Sequence, residues 1–354
     1  MSAFMVIPRI ISTIRITNDE SMYKTRIEEL IRLGVNILRF NVTRYSPDKY
    51  IKDISLIKKI ICDMNLNYKI GILLDLPIPG SKIRIGLFPE PEIEVKKGQK
   101  LVFKSGEYAE SGLEYIPIKH DRIGSQVYLG QTILIGDGEI KLEVDEIIDE
   151  HSFSAISLNS NYIRLGRSVA LGKTIDVIEN ATEIKANFDI VGNVCPDYIA
   201  FSFIEGTEQI KILKRHIGEY TNGSLPKFVS KIESLKGILN LEDITKESDG
   251  LLIGRGDLAL AAPFENLGIY QKRIIKMAKK YNKEAFVATD ILDSLYNKAI
   301  PSRSEIVDIT QMILDGADGI ILSAGICAHE NFQLAMDILN KVILSTIMYG
   351  QELC

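Results

Sequence analysis

Short runs of apolar, mostly β-branched residues alternate along most of the chain with longer segments in which apolar positions recur every three or four residues. The short runs predict strands, and the longer segments predict amphipathic helices. Eight strands are predicted in this way, at residues 9–14, 36–41, 70–75, 198–202, 228–232, 250–254, 285–289 and 319–323. Regular alternation of eight strands with helices favours a closed (β/α)8 barrel, the TIM barrel of the α/β class.

The helical pattern follows most of the predicted strands. Ser46-Pro47 and Pro301-Ser302 supply the residue types that begin helices, a serine N-cap and a proline at the first helical position. The predicted helices cover residues 20–33, 47–64, 208–218, 263–281, 302–314 and 331–348.

Residues 86–167 interrupt this rhythm, because they are rich in glycine and proline and their apolar residues alternate. Such a pattern predicts a small inserted all-β, barrel-like domain, with the barrel formed by residues 1–85 and 168–354. Because the insert follows the third strand on the catalytic rim, we expect it to act as a lid that excludes water. Its predicted strands lie at residues 92–95, 100–103, 126–129, 132–135 and 140–144.

Composition narrows the class of function. The formal net charge of -5 and the lack of a basic run with interleaved aromatic residues argue against nucleic acid as a partner. The four cysteines, Cys62, Cys195, Cys327 and Cys354, have no spacing typical of a zinc site or a disulfide framework. The sequence contains neither a signal peptide nor a run of about 20 apolar residues, so we expect a cytoplasmic protein without membrane contact.

Two predicted strands end in residues that suit anion chemistry. The fifth ends in Lys231-Ile232-Glu233, and the sixth ends in Gly254-Arg255-Gly256-Asp257-Leu258. Strand ends of a barrel meet at one mouth, so two carboxylates and a lysine are expected near each other there. Mg²⁺ takes one or two carboxylates and leaves its other positions to substrate and water. The two motifs therefore predict a metal-assisted site for anion chemistry, most simply phosphoryl transfer.

Structural roles remain open for the same residues. The two carboxylates could instead form structural ion pairs with Lys231 and Arg255. Asn41, Thr43 and Asp75 could serve only as turn and capping groups. The threonine that ends the seventh predicted strand could be a buried β-branched residue like its neighbours.

A family resemblance rests on a series of motifs in a fixed order, and it covers essentially the whole chain. The motifs are Ser12-Thr13-Ile14, Leu38-Arg39-Phe40-Asn41, Lys82-Ile83-Arg84-Ile85-Gly86, Lys231-Ile232-Glu233, Gly254-Arg255-Gly256-Asp257-Leu258, Gln271-Lys272, Ala288-Thr289, Pro301-Ser302-Arg303-Ser304-Glu305, Leu314-Asp315-Gly316-Ala317-Asp318 and Leu322-Ser323. Together they resemble pyruvate kinases. The resemblance implies a barrel with a lid-like insert, in a divergent member that lacks the family's usual C-terminal domain.

The resemblance also implies roles for the residues that match. Glu233 and Asp257 would be the ligands of Mg²⁺ or Mn²⁺. Lys231 would contact the phosphoryl group of phosphoenolpyruvate and stabilise the enolate of pyruvate. Arg39 would bind phosphate, and Thr289 would take part in the proton relay to the enolate carbon.

Further expected contacts concern the substrate, the nucleotide and a second cation. The N–H groups of Gly256 and Asp257, with Thr289, would hold the substrate carboxylate, and Arg44 and Arg84 would lie near the nucleotide. A monovalent cation such as K⁺ would be held by Asn41, Thr43, Asp75 and the carbonyl of Leu76.

The chain departs from the family pattern at several strand ends. Thr43-Arg44 replaces a Ser-His pair, Glu205-Gly206 replaces a basic pair, and Ala324-Gly325 stands where Gly-Glu is usual. The segment after Asp75 is also two residues longer than the usual turn. These changes lie mainly in the shell expected to face the nucleotide, so the sequence leaves the phosphoryl acceptor open.

Three hypotheses of function follow from these observations. The first is a phosphotransferase that acts on phosphoenolpyruvate with a nucleoside diphosphate or another acceptor. The second is a metal-dependent lyase or aldolase that uses a pyruvate enolate, and the third is a non-catalytic ligand-binding protein. We expect small-molecule partners in each case, and a homo-oligomer is possible. The first hypothesis agrees best with the metal and lysine residues.

Overall fold

The computed structural model describes residues 7–350 except 18, 20, 44, 79–82, 111–113, 137, 172–180, 222 and 224. The chain divides into two compact units. The barrel unit comprises the described residues of Met1–Pro77, Ala181–Arg255 and Gly268–Cys354, and the β-rich unit comprises those of Ile78–Asn180 and Gly256–Leu267. The boundaries predicted from the sequence for the inserted domain, residues 86 and 167, stay predictions.

Eight parallel strands of the barrel unit close on themselves, which confirms the predicted TIM barrel. Strand numbers follow the chain, and β4–β11 belong to the β-rich unit. The barrel strands are β1 (Arg9–Thr13), β2 (Val35–Asn41), β3 (Gly71–Leu76), β12 (Tyr198–Phe201), β13 (Lys227–Ile232), β14 (Gly250–Gly254), β15 (Glu284–Ala288) and β16 (Gly319–Leu322). Around the barrel their order is β1-β16-β15-β14-β13-β12-β3-β2.

The barrel strands carry long apolar runs because both of their faces are covered. Every residue of β3 and β14 is buried. One packed cluster of side chains comes from all eight strands and includes Ile11, Leu73 and Phe286. The barrel is therefore closed by a filled core, and the polar residues are left at the strand ends.

Helices follow the barrel strands along the chain. They are α1 (Ser21–Arg32), α2 (Pro47–Asp63), α3 (Ala181–Val194), α4 (Thr207–Tyr220), α5 (Leu235–Leu239), α6 (Leu241–Glu247), α7 (Arg255–Ala261), α8 (Leu267–Lys280), α9 (Arg303–Leu314), α10 (Ala324–Cys327) and α11 (Phe332–Gly350). In the described part of the chain, no helix combines the length and the apolar character needed to cross a membrane.

Local signals account for several helix ends. Pro47 is the first residue of α2, as the sequence predicts. Ser302 caps α9 and exchanges hydrogen bonds with Glu305 in a capping box. Gly316 ends α9 with a φ of 95°, and the next amide, of Ala317, donates to the carbonyl of Met312 at 3.0 Å. This closure needs a left-handed residue, which glycine adopts without strain.

Some predicted helices differ from the observed ones. The single helix predicted at 263–281 is a 3₁₀ turn, Phe264–Asn266, followed by α8. The prediction also missed α3, whose sequence contains Asn187, Gly192 and Asn193, residues with low helix propensity. This helix forms through tertiary packing, because its residues Phe188 and Val191 are buried.

The β-rich unit contains two sheets around their own apolar core. The strands of the β-rich unit are β4 (Glu92–Val95), β5 (Lys100–Ser105), β6 (Ile116–Ile118), β7 (Thr132–Ile135), β8 (Ile140–Asp149), β9 (Ser152–Ser157), β10 (Asn161–Arg164) and β11 (Val169–Ala170). Six of them form a sheet with the order β11-β7-β8-β9-β5-β6, and β10 pairs with β4.

The strand predicted at 126–129 is wrong. A 3₁₀ turn, Ile123–Gln126, occupies its start, and a turn follows it. There the amide of Tyr128 donates to the side chain of Gln131 at 2.8 Å, while the amide of Gln131 donates to the carbonyl of Tyr128 at 3.1 Å. These bonds satisfy the backbone locally, so it is not available to a strand ladder.

The filled barrel core leads to a stability prediction. Leu73→Ala should lower the free energy of unfolding by about 2–5 kcal/mol, because it leaves a cavity among packed side chains. The matched variant Leu344→Ala, at a side chain that is 60% exposed, should change it by less than about 0.5 kcal/mol. Urea denaturation measures both values. Equal losses in the two variants would contradict the filled core.

Candidate active site

Lys231 lies near the carboxyl end of β13, and its side chain contacts Asp75, Glu233 and Ser202. Its Nζ lies 3.1 Å from Asp75 Oδ1 and 3.1 Å from Glu233 Oε1, and it donates to Ser202 Oγ at 2.9 Å. Asp75 lies near the end of β3, Ser202 follows β12 and Glu233 follows β13. These three strands are neighbours, because β13 pairs with β12 and β12 pairs with β3. The barrel order therefore brings together residues that are up to 158 positions apart in sequence, from Asp75 to Glu233.

Arg39 joins the same group from β2. Its Nε donates to Asp75 Oδ2 at 2.9 Å, and its Nη1 donates to Thr13 Oγ1 at 2.7 Å. The hydroxyl of Thr13 donates in turn to the carbonyl of Leu322 at 2.7 Å. We call Arg39, Asp75, Lys231 and Glu233 the strand-end ion cluster.

The charges within the strand-end ion cluster balance, with two cations and two carboxylates. Burial alone would raise the pKa of Asp75, but the positive charges of Lys231 and Arg39 and their hydrogen bonds outweigh that effect. The pKa of Asp75 therefore lies below its usual value, and its carboxylate stays ionised at neutral pH. Loss of one partner would leave a buried charge uncompensated, which typically costs about 3–5 kcal/mol.

Backbone groups also hold the carboxylate of Glu233. The amide of Phe203 donates to Glu233 Oε2 at 3.0 Å, and the amide of Ile204 donates to the carbonyl of Lys231 at 3.2 Å. Phe203 has a φ of 52°, a left-handed conformation that is strained for a residue with a side chain. On the other side, a Cβ on Gly254 would come within 2.4 Å of Glu233 Oε1, so the bare glycine makes room for the carboxylate.

Thr289 lies just beyond the end of β15, which corrects the predicted strand 285–289. Its φ of 79° is unusual for a β-branched residue, so it is not a plain strand residue. Arg255 Nε donates to the carbonyls of Ala288 and Thr289, each at 3.1 Å, and its Nη1 contacts Asp308 at 2.5 Å. The sequence left open that Arg255 pairs with the site carboxylates. In the structure its guanidinium holds the turn at Thr289 and pairs with Asp308, which gives it a structural role of its own.

Beyond β16, Ser323 joins a second polar group. It caps α10, donates to Asp293 Oδ1 at 3.2 Å and lies 3.0 Å from the hydroxyl of Tyr296. Burial, together with charge repulsion from Asp290 and Glu305, raises the pKa of Asp293 to about 6, and the hydrogen bond from Ser323 only partly offsets this rise.

Three predicted site residues, Gly256, Asp257 and Arg84, belong to the β-rich unit. Gly256 and Asp257 are the second and third residues of α7, which begins directly after β14. Arg84 belongs to the β-rich unit, where its Nη1 donates to the carbonyl of Gly166 at 3.0 Å. Arg44 lies outside the described residues. The roles expected for these residues in binding metal, substrate and nucleotide stay predictions.

The predicted monovalent-cation site also stays a prediction. Both oxygens of Asp75 already accept hydrogen bonds from protein cations. The carbonyl of Leu76 accepts the amide of Ser202 at 3.3 Å, and Asn41 and Thr43 are exposed. This donor set fits K⁺ poorly, because the charge of its only carboxylate is compensated by the protein itself.

The donor set around Glu233 fits Mg²⁺ better. In the described part of the chain, no three His, Cys, Asp or Glu side chains form a cluster that could hold a metal. Mg²⁺ does not need such a cage, because it commonly takes one or two carboxylates and fills its other positions with substrate phosphates and water. Glu233 supplies a buried, pre-oriented carboxylate of this kind.

Sequence patterns alone missed part of the site. They did not single out Thr13 as a partner of Arg39, the amide of Phe203 or the residue after Glu233, Ser234. Ser234 caps α5 by accepting the amide of Gly237 at 3.1 Å. A serine between a strand and a short helix is a recognised N-cap signal, so this residue could have been found.

The fold and the site define a (β/α)8-barrel protein with a buried ion cluster at its strand ends. Residues 7–334 match the family model described as "Pyruvate kinase, barrel domain". The chain is 33% identical over 318 residues to a pyruvate kinase of Thermotoga maritima, and 33% identical over 322 residues to one of Methanocaldococcus jannaschii. The matches cover 89% and 90% of this chain. The chain belongs to the pyruvate kinase family, which confirms the resemblance predicted from its motifs.

The relatives are longer than this chain. The matched region makes up 66% of both the Thermotoga maritima and the Methanocaldococcus jannaschii protein. A pyruvate kinase of Thermoplasma acidophilum is 31% identical over 304 residues, which are 84% of this chain and 51% of that protein. The chain therefore spans just under two thirds, or less, of the length of these relatives.

The raised pKa of Asp293 predicts a dependence of stability on pH. A carboxyl group with a pKa of about 6 in the folded protein and near 3.8 when unfolded stabilises the fold in its protonated form, and that contribution is lost as pH rises through about 6. Asp293→Asn removes this effect. Its melting temperature should therefore rise relative to that of the wild type as the pH is raised from about 4 to about 7. Asp337→Asn, at an exposed position on α11, is the control and should follow the wild type. Parallel curves for all three proteins would disprove the assignment.

Proposed function

We propose that this protein is a phosphotransferase that moves a phosphoryl group between phosphoenolpyruvate and a nucleoside diphosphate, with pyruvate as product. The observation that carries the proposal is the placement of Lys231 at the barrel's strand ends, between Asp75 and Glu233, in a member of the pyruvate kinase family. This cation is fixed before substrate arrives. Fixed charge of that kind is what a loose phosphoryl-transfer transition state requires.

Glu233 and Asp257 are the proposed ligands of Mg²⁺ or Mn²⁺. When bound, the metal would neutralise charge on the phosphoryl group. The buried carboxylate of Glu233, held by the amide of Phe203, supports its part in this assignment. Asp257 follows β14 within the first turn of α7, and its part rests on the family resemblance. No step of the proposal passes through a monovalent cation.

The proposed reaction exchanges one P–O bond for another. The bond from phosphorus to the C2 oxygen of phosphoenolpyruvate breaks, a bond to a terminal oxygen of the acceptor phosphate forms, and the enolate takes a proton at C3. Lys231 would stabilise the negative charge on the enolate oxygen, and Arg39 would hold a phosphate group. Thr289 would take part in proton delivery to C3.

Substrate and nucleotide contacts complete the proposal. The amides of Gly256 and Asp257, with Thr289, would bind the carboxylate of the substrate. The tight turn that Arg255 holds at Thr289 supports a fixed placement of that threonine. Arg44 and Arg84 would lie near the nucleotide, and ADP is the first acceptor to test. The proposed partners are thus small molecules.

A panel assay tests the proposal and separates it from the alternatives. The protein is incubated with phosphoenolpyruvate, Mg²⁺ and each nucleoside diphosphate in turn, and pyruvate and the phosphorus species are followed together. Matched release of pyruvate and nucleoside triphosphate supports the proposal. Pyruvate formed from a 2-oxo-4-hydroxy acid without nucleotide would indicate a lyase. Calorimetric binding of phosphoenolpyruvate without turnover would indicate a binding protein.

A substitution at Lys231 gives a quantitative prediction. Lys231→Met should lower kcat by about 100- to 1,000-fold, the usual effect of removing one group that stabilises developing negative charge. Lys227→Met is a matched control because Lys227 lies at the other end of the same strand, and its half-exposed side chain contacts Glu284. This control should keep wild-type kcat. Equal activity of the two folded variants would rule out the proposed role of Lys231.

A further inference from the structure

The loop after β12 contacts the turn after β13 through a buried carboxylate. Glu205, which is 3% exposed, accepts a hydrogen bond at its Oε1 from the hydroxyl of Ser234, which is 5% exposed. The Nζ of Lys236 lies 3.5 Å from Glu205 Oε2. A buried carboxylate is expensive unless it is paired and hydrogen-bonded, so this contact between two loops is specific rather than incidental.

The backbone of Glu205 is fixed on both sides as well. Its amide donates to Gln209 Oε1 at 2.7 Å, and its carbonyl accepts Asn240 Nδ2 at 2.7 Å. Gln209 lies in α4, and Asn240 lies at the junction of α5 and α6. Side chains from α4 and from the junction of α5 and α6 therefore hold the backbone of Glu205 in place, which makes it a rigid support for the group that it contacts.

Ser234 is the residue immediately after Glu233. Its hydroxyl both donates to Glu205 and accepts the amide of Gly237 at 3.1 Å, at the start of α5. These two bonds fix the direction in which the chain leaves β13. They therefore also fix the backbone from which the side chain of Glu233 extends.

The same two loops also make contact at the carboxylate of Glu233. The amide of Phe203 reaches Glu233 Oε2, and the amide of Ile204 reaches the carbonyl of Lys231. Thus residues 203–205 contact residues 231, 233 and 234 in a continuous series. If the bond between Glu205 and Ser234 were lost, the strained backbone at Phe203 would lose an anchor two residues away.

We propose that Glu205 is a positioning residue for Glu233, which acts through Ser234 to hold the carboxylate in the orientation that binds a divalent metal. This inference rests on the proposed function, in which Glu233 is a metal ligand. Groups that orient metal ligands typically change metal affinity about 10- to 100-fold when they are removed, although they do not touch the metal.

The experiment measures binding of Mn²⁺ directly, by electron paramagnetic resonance on the purified full chain, at a temperature where each variant is folded. Glu205→Met removes the acceptor with little change in size. Glu205→Gln keeps a carbonyl oxygen that can accept from Ser234. Ser234→Ala cuts the same hydrogen bond from the other side, and it decides the outcome if Glu205→Met does not fold.

A matched control comes from the segment between β15 and β16, two strands that do not pair with β13. Glu305 also accepts hydrogen bonds from serine hydroxyls, those of Ser294 and Ser302, in the turn before α9. Glu305→Met therefore breaks the same kind of contact at a distance from Glu233 in the strand order. It should lower the melting temperature without changing the Kd for Mn²⁺.

The proposal predicts a specific pattern of results. Glu205→Met and Ser234→Ala should each raise the Kd for Mn²⁺ by about 10-fold or more. Glu205→Gln should have a Kd close to that of the wild type. The double variant of Glu205→Met and Ser234→Ala should bind Mn²⁺ no more weakly than either single variant, because both substitutions remove the same bond. In assays, the Mn²⁺ concentration needed for half activation should rise, while kcat at saturating Mn²⁺ stays near the wild-type value.

Two other outcomes separate the inference from its premise. If Glu233→Gln weakens Mn²⁺ binding but Glu205→Met and Ser234→Ala do not, Glu205 is not a positioning residue, although the proposed metal site stands. If Glu233→Gln itself leaves Mn²⁺ binding unchanged, the proposed metal site fails. An equal rise in the Kd for Mn²⁺ in Glu305→Met would show a general loss of stability and would also overturn the inference.

Discussion

Burial of three charged groups, Asp75, Lys231 and Glu233, beside the partly buried Arg39 is the constraint on which this structure depends. Each ion of the strand-end ion cluster loses water as the barrel closes, and that loss is acceptable only if opposite charges and hydrogen bonds replace it. Asp75 satisfies this requirement by accepting from both Arg39 and Lys231. The strand order is therefore tied to the charge pattern, because it brings Asp75 on β3 close to Arg39 on β2 and to Lys231 on β13.

The backbone around the strand-end ion cluster is shaped to serve it. Non-glycine residues with positive φ occur just after two of the barrel strands, at Phe203 and at Thr289. In each case a neighbouring group stabilises the strained turn, the carboxylate of Glu233 for the first and the guanidinium of Arg255 for the second. Such strain persists only where the surroundings hold it firmly, as is typical of functional sites.

Sequence patterns predicted most of the barrel, because strands buried on both faces carry continuous apolar runs that are easy to recognise. They failed where tertiary contacts override local preference. The helix α3 contains Gly192 and forms through packing, and the segment 126–129 turns because Gln131 satisfies its backbone. Motifs predicted Lys231 and Glu233, but the support from Ser234 depends on contacts between loops that no single motif encodes.

The most direct test of the central claim is a crystal structure of the protein with Mg²⁺ and oxalate, a mimic of the pyruvate enolate. We expect Mg²⁺ at about 2.0–2.1 Å from a carboxylate oxygen of Glu233. Lys231 Nζ should lie within hydrogen-bonding distance of an oxalate oxygen, and Asp75 should keep its contact with Arg39. Mg²⁺ and oxalate bound away from Glu233, with the ion pair between Lys231 and Glu233 unchanged, would contradict it.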